Sequence, residues 1–342
     1  MAKDSQAEEQ AALVAMRAGD AAAFTNLAER YRRQLQVHCY RMLGSLEDAE
    51  DLVQETLLRA WRGRAEFEGA SLFRTWLYRI ATNLCLNSLE RLPRRVLPNQ
   101  VTPPAADPRV PLPPPSDLPW LQPYPDGLLE GIAEGSAEPG EIIVARETIE
   151  LAFLAAIQLL PPRQRAALIL RDVLGWSAKE TASQLETSVA SANSALQRAR
   201  ATLKEHLPDR HKWARSSDPT EDERALLQRY IDAVEREDFE AFALLLRDDA
   251  RLLMPPFEAW YQGREAMVTF MKGFASAFDG HTRLVPTGAN MQPALAFYLQ
   301  RPGDSEHRAL SLNVFKFEDG ALVEIVAFDA DIFPAFGLPT AL

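Results

Sequence analysis

The sequence predicts a multidomain protein: two all-α bodies joined by a proline-rich tether, followed by an α+β domain. Three observations carry this reading. Residues 8–92 contain no proline and repeat apolar residues at helical spacing; thirteen of the 24 prolines fall between Pro93 and Gly140; and beyond Glu221 the apolar pattern changes from a period of 3.6 towards alternation. A length of 342 residues exceeds a single small module, and 47% hydrophobic with 25% charged residues is a globular composition.

The elements follow in order. Leu13, Met16 and Ala23-Phe24 open one helix, and in a second Leu27, Tyr31, Leu35, His38 and Met42 recur at threes and fours. After the Gly44-Ser45 break, Leu46, Ala49, Val53, Leu57 and Ala60-Trp61 repeat the pattern. Phe73, Leu77, Ile80, Leu84 and Leu89 repeat it again after Gly69, making four amphipathic helices. Proline lacks a donor and fixes φ, so residues 93–140 are neither helix nor central strand but an extended, semi-rigid tether. Within it, Trp120-Leu121-Gln122-Pro123-Tyr124-Pro125 offers Trp120 and Tyr124 as an anchor docked on a domain or partner, or buried incidentally against the chain itself. Helices are expected over Glu141–Leu160, Gln164–Leu174, Ser177–Leu185 and Ser188–Leu207. Only Glu186-Thr187 parts the last two, as in a helix-turn-helix. Asp218-Pro219 marks a second, shorter linker. Helices at Leu226–Glu235, Phe239–Leu246 and Glu265–Phe278 then precede strands at Leu284-Val285, Ala294–Leu299, Leu310–Phe317 and Leu322–Phe328. An antiparallel sheet is expected, with Glu318-Asp319-Gly320 as a hairpin turn.

Composition also excludes. No apolar stretch is long enough to span a membrane, and Met1–Gln10 lacks the apolar core of a signal peptide, so a cytoplasmic protein is expected. Cys39 and Cys85 cannot build a disulfide framework or a four-ligand zinc site, and the five histidines show no ligand spacing; no metal or cofactor is implied. The net charge of −11 argues against nucleic acid if spread evenly, yet residues 161–215 carry +5 while 216–342 carry −10. One short basic segment stands inside an acidic protein.

That basic segment contains the helix-turn-helix. On a helical wheel, Ala192, Leu196, Ala199 and Leu203 cluster on one side, with Ala190, Ser191, Ser194, Gln197 and Arg198 opposite. Small and polar residues early on the outer face suit a recognition helix in the major groove, with Arg163, Arg165, Arg171, Lys179, Arg200 and Lys204 neutralising phosphates. A plain helical hairpin with a solvated face is the bland alternative. Residues Glu47 to Thr56 form a second constellation, in which Asp48, Asp51 and Glu55 make an acidic stripe edged by Leu58. Such acids either complement a helix N-terminus and face water or dock a basic partner. Phe67 to Asn83 form a third. Aromatics interleaved with arginines and an asparagine suit single-stranded nucleic acid, although Phe73, Trp76, Leu77 and Ile80 at helical spacing also read as core.

Together these segments are far more specific than apart. Residues 24–92 resemble the σ2 region, and residues 150–207, led in by Leu160-Pro161-Pro162-Arg163-Gln164-Arg165, resemble the σ4 region of an extracytoplasmic-function (ECF) sigma factor of the sigma-70 family. The resemblance implies that Asp48, Asp51, Gln54, Glu55 and Leu58 meet the β′ clamp of core RNA polymerase, and that σ4 meets the β flap. It implies −10 contacts from Ser71, Arg74, Tyr78, Arg79, Asn83 and Asn87, with the Glu66–Leu72 loop accommodating a flipped base, whose unstacking a pocket must offset. It implies −35 contacts from Arg163, Arg165, Lys179, Ser188, Ala190, Ser191, Ser194, Gln197 and Arg198.

The tether is longer than in minimal members, and the extension beyond σ4 resembles the SnoaL-like, NTF2-like cone of an actinobacterial SigG/SigJ-like subset. The expected organisation is therefore 1–92 σ2, 93–140 tether, 141–209 σ4, 210–220 linker and 221–342 cone. Such a protein is not itself an enzyme: it directs promoter-specific initiation, and the cone regulates it by folding back on σ2 and σ4, with a small apolar ligand as a further partner. In the rival reading, an isomerase- or cyclase-like site sits in the cone, lined by Met254, Phe257, Trp260, Tyr261, Phe270, Phe274, Phe297 and Phe328. Asp329, Asp331, Glu258 or His281 would serve there as acid or base, and the helical domains as a DNA tether.

Overall fold

The computed structural model describes residues 2–67, 73–129, 149–207, 221–278 and 280–342. The chain divides into two units, Met1–Arg94 with Leu128–Trp213, and Arg95–Gly127 with Ala214–Leu342.

The first unit is helical. Its N-terminal part comprises α1 (Ala2–Arg17), α2 (Ala21–Leu43), α3 (Leu46–Arg62) and α4 (Phe73–Leu89). The α1–α2 break lies earlier than Phe24 because Gly19 takes a φ of 99° and Asp20 caps α2, accepting from Ala22 N at 2.9 Å and Ala23 N at 3.0 Å. Gly44, at φ 71°, ends α2, and Ser45 at once caps α3 by accepting from Asp48 N at 3.1 Å. The second part holds α5 (Leu151–Gln158), α6 (Pro162–Leu168), α7 (Ala178–Gln184) and α8 (Val189–His206). Of the helix expected over Glu141–Leu160, residues 141–148 lie outside the described residues. The helix expected over Gln164–Leu174 starts earlier, with proline at its first position, and its last turn, Ile169–Val173, widens to a π-helix before Gly175 at φ 68°.

The second unit is a curved six-stranded sheet carrying helices. After α9 (Glu221–Glu235) and α10 (Phe239–Leu245), the strands are β1 (Leu246–Leu253), β2 (Trp260–Gln262), β3 (His281–Ala289), β4 (Gln292–Gln300), β5 (Arg308–Glu318) and β6 (Ala321–Asp329). The helix α11 (Arg264–Phe278) lies between β2 and β3. The strand order is β2-β1-β6-β5-β4-β3. The sheet is mixed, which corrects the antiparallel expectation: β1 runs parallel to β6, with Leu252 opposite Ile325 and Leu253 opposite Val326. The β5–β6 turn is the expected one, with Asp319 at φ 50° and Gly320 at φ 77°. Tyr230, Phe242, Phe297 and Phe315 fill the interior, with ring centroids 4.8 to 6.4 Å apart around Tyr230.

The proline-rich stretch belongs to this unit as far as Gly127. Its non-proline backbone groups dock one at a time. Ala105 N donates to Trp260 O at 2.8 Å, Ser116 N to Pro256 O at 3.0 Å, and Thr102 Oγ1 to Glu258 O at 2.6 Å. Trp260 Nε1 returns a bond to Thr102 O at 2.8 Å. At the far end, Tyr124 is fully buried, and its N–H donates to Asn290 Oδ1 at 2.8 Å while Asn290 N donates to Tyr124 O at 2.9 Å. Asn290 and Met291 both sit at φ 58°, forming the β3–β4 turn, and Asp126 accepts from Met291 N at 2.8 Å. A methionine rarely takes that conformation, so the strap's carboxyl helps hold the turn. Gly288 completes the fit, since a Cβ there would lie 2.4 Å from Asp126 Oδ2.

Candidate nucleic-acid interface

The helix-turn-helix is assembled by its caps. Ser177 and Glu180 form a reciprocal capping box at α7, with Ser177 N donating to Glu180 Oε2 at 2.7 Å and Glu180 N to Ser177 Oγ at 3.2 Å. The turn passes through Glu186 at φ 50°, and Ser188 then caps α8, accepting from Ser191 N at 3.1 Å. Ala192, Leu196, Ala199 and Leu203 are buried, while Ser188, Ala190, Ser191, Ser194, Gln197 and Arg198 are all exposed. The exposed face is thus a run of short polar groups ending in a guanidinium. Lys179 is exposed on the first turn of α7, and exposed Arg163 donates to Leu185 O at 3.2 Å, bracing the turn. Arg200 is held by Asp172 at 2.6 Å, so its charge is already answered.

On α3, Ala49, Val53, Thr56, Leu57 and Ala60 are buried. Asp51 and Gln54 are exposed, Leu58 is 41% exposed, and Asp48 and Glu55 are half-buried beside them. Glu55 pairs with Arg59 at 2.6 Å, one turn on. The result is an acidic ridge carrying one apolar side chain in water.

On α4, Arg74, Arg79, Asn83 and Asn87 are exposed. Ser71 and most of the Glu66–Leu72 loop lie outside the described residues. Trp76 is half-buried, stacked in a cluster with Phe67 at 5.0 Å and Phe73 at 5.8 Å.

Two expected contact residues are not on a surface. Tyr78 is 3% exposed, its ring edge-on to His38 at 5.1 Å and 6.5 Å from Trp176, and burial raises its phenol pKa. Arg165 is 1% exposed and donates to Met42 O, to Gln158 Oε1 at 2.6 Å, to Gln158 O at 2.9 Å and to Leu160 O at 3.2 Å. In this structure it is an internal bracket, not a phosphate contact, and burial lowers its pKa to about 10. Residue type favoured a surface for both; the packing of the second helical segment on the first reverses that.

Sequence reasoning missed the groups that make this junction. Gln184 is buried at the end of α7, and its Nε2 donates to Asn83 Oδ1 at 2.8 Å and to Arg79 O at 3.2 Å. Gln158 Nε2 donates to Arg41 O at 3.3 Å. Within the first segment, buried His38 Nε2 pairs with Thr82 Oγ1 at 2.9 Å, and burial followed by nearby Arg41 lowers its pKa to about 3. Glutamines on apolar-flanked helices were the only hint.

The cone offers less chemistry than the rival reading required. Its slot has a volume of about 30 Å³, room for about one water, and is lined by Phe242, Met271, Phe274, Phe278, Phe297 and Leu299. Only Phe274 and Phe297 come from the expected lining; Met254, Trp260 and Tyr261 are buried elsewhere in the core. Asp329 caps the final 3₁₀ helix by accepting from Asp331 N at 3.2 Å. Among the described residues, no His, Cys, Asp and Glu group is arranged to hold a metal, and no helix is long and apolar enough to cross a membrane.

Comparison with known proteins fits these parts together. Family models match as Sigma-70 region 2 over residues 27–95, Sigma-70 region 4 over 150–203 and SnoaL-like domain over 227–325. The ECF RNA polymerase sigma factor SigG of Mycobacterium tuberculosis is 45% identical over 328 residues, spanning 95% of this chain and 86% of that one. The chain belongs to the ECF RNA polymerase sigma factors. The ECF RNA polymerase sigma-E factor of Escherichia coli is 30% identical over 203 residues, covering 58% of this chain and 93% of its own length. The crystal structure of the sigma factor SigJ of Mycobacterium tuberculosis shares the fold, with a TM-score of 0.58 at 21% identity over 92% of this chain and 99% of that one. The helical unit therefore carries regions 2 and 4 of a factor that binds core RNA polymerase and promoter DNA.

Proposed function

We propose that this sigma factor grips core polymerase through the α3 ridge of Asp48, Asp51, Gln54, Glu55 and Leu58 on the β′ clamp and through region 4 on the β flap. It reads the −35 element with α8 and captures the −10 strand with the exposed face of α4. The observation that carries the reading is the sorting of α8: its apolar residues are buried, and Ser188, Ala190, Ser191, Ser194, Gln197 and Arg198 are left together in solvent. Short side chains permit close approach to base edges, and Arg198 sits where a phosphate contact fixes register. The C-terminal cone is regulatory rather than catalytic in this reading. A small apolar ligand as the signal would have to widen the aromatic slot, which holds about one water, towards the cleft with Lys272, His281 and Arg301 on its rim.

In vitro transcription with core polymerase and the full chain tests the assignment. Arg198→Ala is expected to weaken −35 binding and to lower the slope of log affinity against log salt by about 0.9, one phosphate contact. An unchanged slope removes Arg198 from the interface. Failure of the wild-type chain to support promoter-specific initiation overturns the whole reading.

A further inference from the structure

The helical unit joins regions 2 and 4 through a cation that no carboxylate among the described residues answers. Arg165 lies in α6 of region 4, and its guanidinium donates to Met42 O in the last turn of α2 and to three oxygens of Gln158 and Leu160. Gln158 supplies a second bond to the same turn, at Arg41 O. The C-terminal carbonyls of a helix form the negative end of its dipole, so a cation is favoured there. Dipoles alone compensate a buried charge incompletely, however, and the Nε of Arg165 has no partner among the described residues. This junction is therefore closed by a contact that hydration competes with directly.

The same closure places region 4 on α4. Gln184 bonds Asn83 Oδ1 and Arg79 O, and Trp176 stands 6.5 Å from the Tyr78 ring. Three of the residues assigned to the −10 strand are thereby engaged from region 4. We propose that Arg165 is a latch, holding region 4 over α4 in the free sigma factor so that region 4 and single-stranded promoter DNA compete for one face. The competition rests on α4 being the strand-reading helix; the latch does not. Opening trades the Arg165 bond to Met42 O and the Gln158 bond to Arg41 O for water and keeps the three bonds from Arg165 to Gln158 and Leu160, which makes it reversible when polymerase offers separate seats to the two regions.

The test uses the full chain with fluorophores on Glu50→Cys in α3 and Glu205→Cys in α8, both exposed positions; Cys39 and Cys85 are buried and stay unlabelled. Arg165→Met keeps bulk and removes the charge, Arg165→Lys keeps the charge without the fork, and Gln184→Ala leaves the bracket of Arg165 intact. Energy transfer is expected to fall in Arg165→Met, less in Arg165→Lys, and in Gln184→Ala as well. Affinity for a single-stranded oligonucleotide of mixed sequence is expected to rise about tenfold in Arg165→Met, the signature of a released population. Unchanged transfer in Arg165→Met overturns the latch, whatever Gln184→Ala does, as does a lower melting temperature with neither transfer nor affinity altered. Lower transfer without a gain in affinity supports the latch and instead removes α4 as the strand-reading face.

Discussion

Each unit sets an ionisable group where segments distant in sequence meet, Arg165 buried and Asp126 half-buried, and they do so with opposite chemistry. In the helical unit the group is Arg165, a cation set against helix-end carbonyls. In the sheet unit it is Asp126, a carboxyl set against the backbone N–H of Met291. Their surroundings differ as well. Around Asp126 the strap is fixed by reciprocal backbone pairing, with Tyr124 and Asn290 exchanging bonds and Pro125 bridged to Ala289. Around Arg165 the contacts come mostly from side chains reaching for oxygens. Backbone pairing cannot be released one bond at a time without stranding other groups, whereas a side-chain bracket can. Backbone pairing thus ties the strap to the sheet, whereas the bracket at the region 2–region 4 junction is of the kind the proposed latch would release.

Tyr124→Ala makes the largest break in that comparison. Tyr124 is fully buried, so removing its ring is expected to cost the sheet unit about 3–5 kcal/mol, as for other large aromatics. Hydrogen exchange followed peptide by peptide should show lost protection in residues 95–127 and in β3 and β4, with α2, α3 and α4 unaffected. Equal loss in both units would show that they unfold as one body and would erase the distinction.

The next effect is set by pH and has opposite sign in the two units. Burial raises the Asp126 pKa to about 7, while an unfolded aspartate titrates near 4. Between these values the folded state holds the extra proton, so the contribution of Asp126 to the sheet unit is largest below about pH 4 and falls by about 1.4 kcal/mol per pH unit up to about pH 7. His38 behaves conversely. Its pKa falls from 6.5 unfolded to about 3 folded, so the unfolded chain holds the extra proton in that window. The contribution of His38 is complete above about pH 6.5 and is lost as pH falls, again by about 1.4 kcal/mol per unit. Exchange corrected for the intrinsic rate at each pH should therefore show protection moving in opposite directions in the two units between pH 5 and 7. Asp126→Asn is expected to flatten only the sheet unit's response. A common direction would mean that other groups dominate.

What was legible in the sequence follows the same division. The outer face of α8 could be read because a helix that buries Ala192, Leu196, Ala199 and Leu203 must expose the residues between them. Arg165 could not, since its residue type predicts a surface and only a partner helix end makes burial tolerable. The strand β1 was missed because Arg247, Asp248 and Asp249 interrupt its apolar pattern. They form a charged stretch in which Arg247 reaches Glu318 at 2.8 Å, so the apolar signal resumes only near Leu252 and Leu253. Proline density argued against a helix or central strand in the strap, whose described residues hold no α-helix or strand but do form the short 3₁₀ turns Pro98–Gln100 and Asp126–Leu128. Its docking rests on single donors between prolines, Ala105, Ser116 and Tyr124, and such bonds leave no periodic trace. Burial of Trp120 and Tyr124 was among the alternatives their size suggested; the Asp126 contact to Met291 N was not, because the left-handed turn it supports carries a methionine.

The smallest effect on stability should accompany one of the largest on function. Asp51 is exposed and Glu55 is tied only to Arg59 on its own helix, so Asp51→Ala with Glu55→Ala removes charge without opening a cavity or stranding a buried partner. Surface changes of this kind typically shift stability by less than about 0.5 kcal/mol, and the α3 core of Val53, Leu57 and Ala60 is untouched. Affinity for core polymerase, measured by competition against the wild-type chain, is expected to fall and to lose part of its salt dependence, because two carboxylates no longer face a basic surface. A melting temperature that drops with affinity unchanged would assign the ridge to the fold instead. With the fold intact and affinity reduced, the α3 ridge is a grip of region 2 on core polymerase.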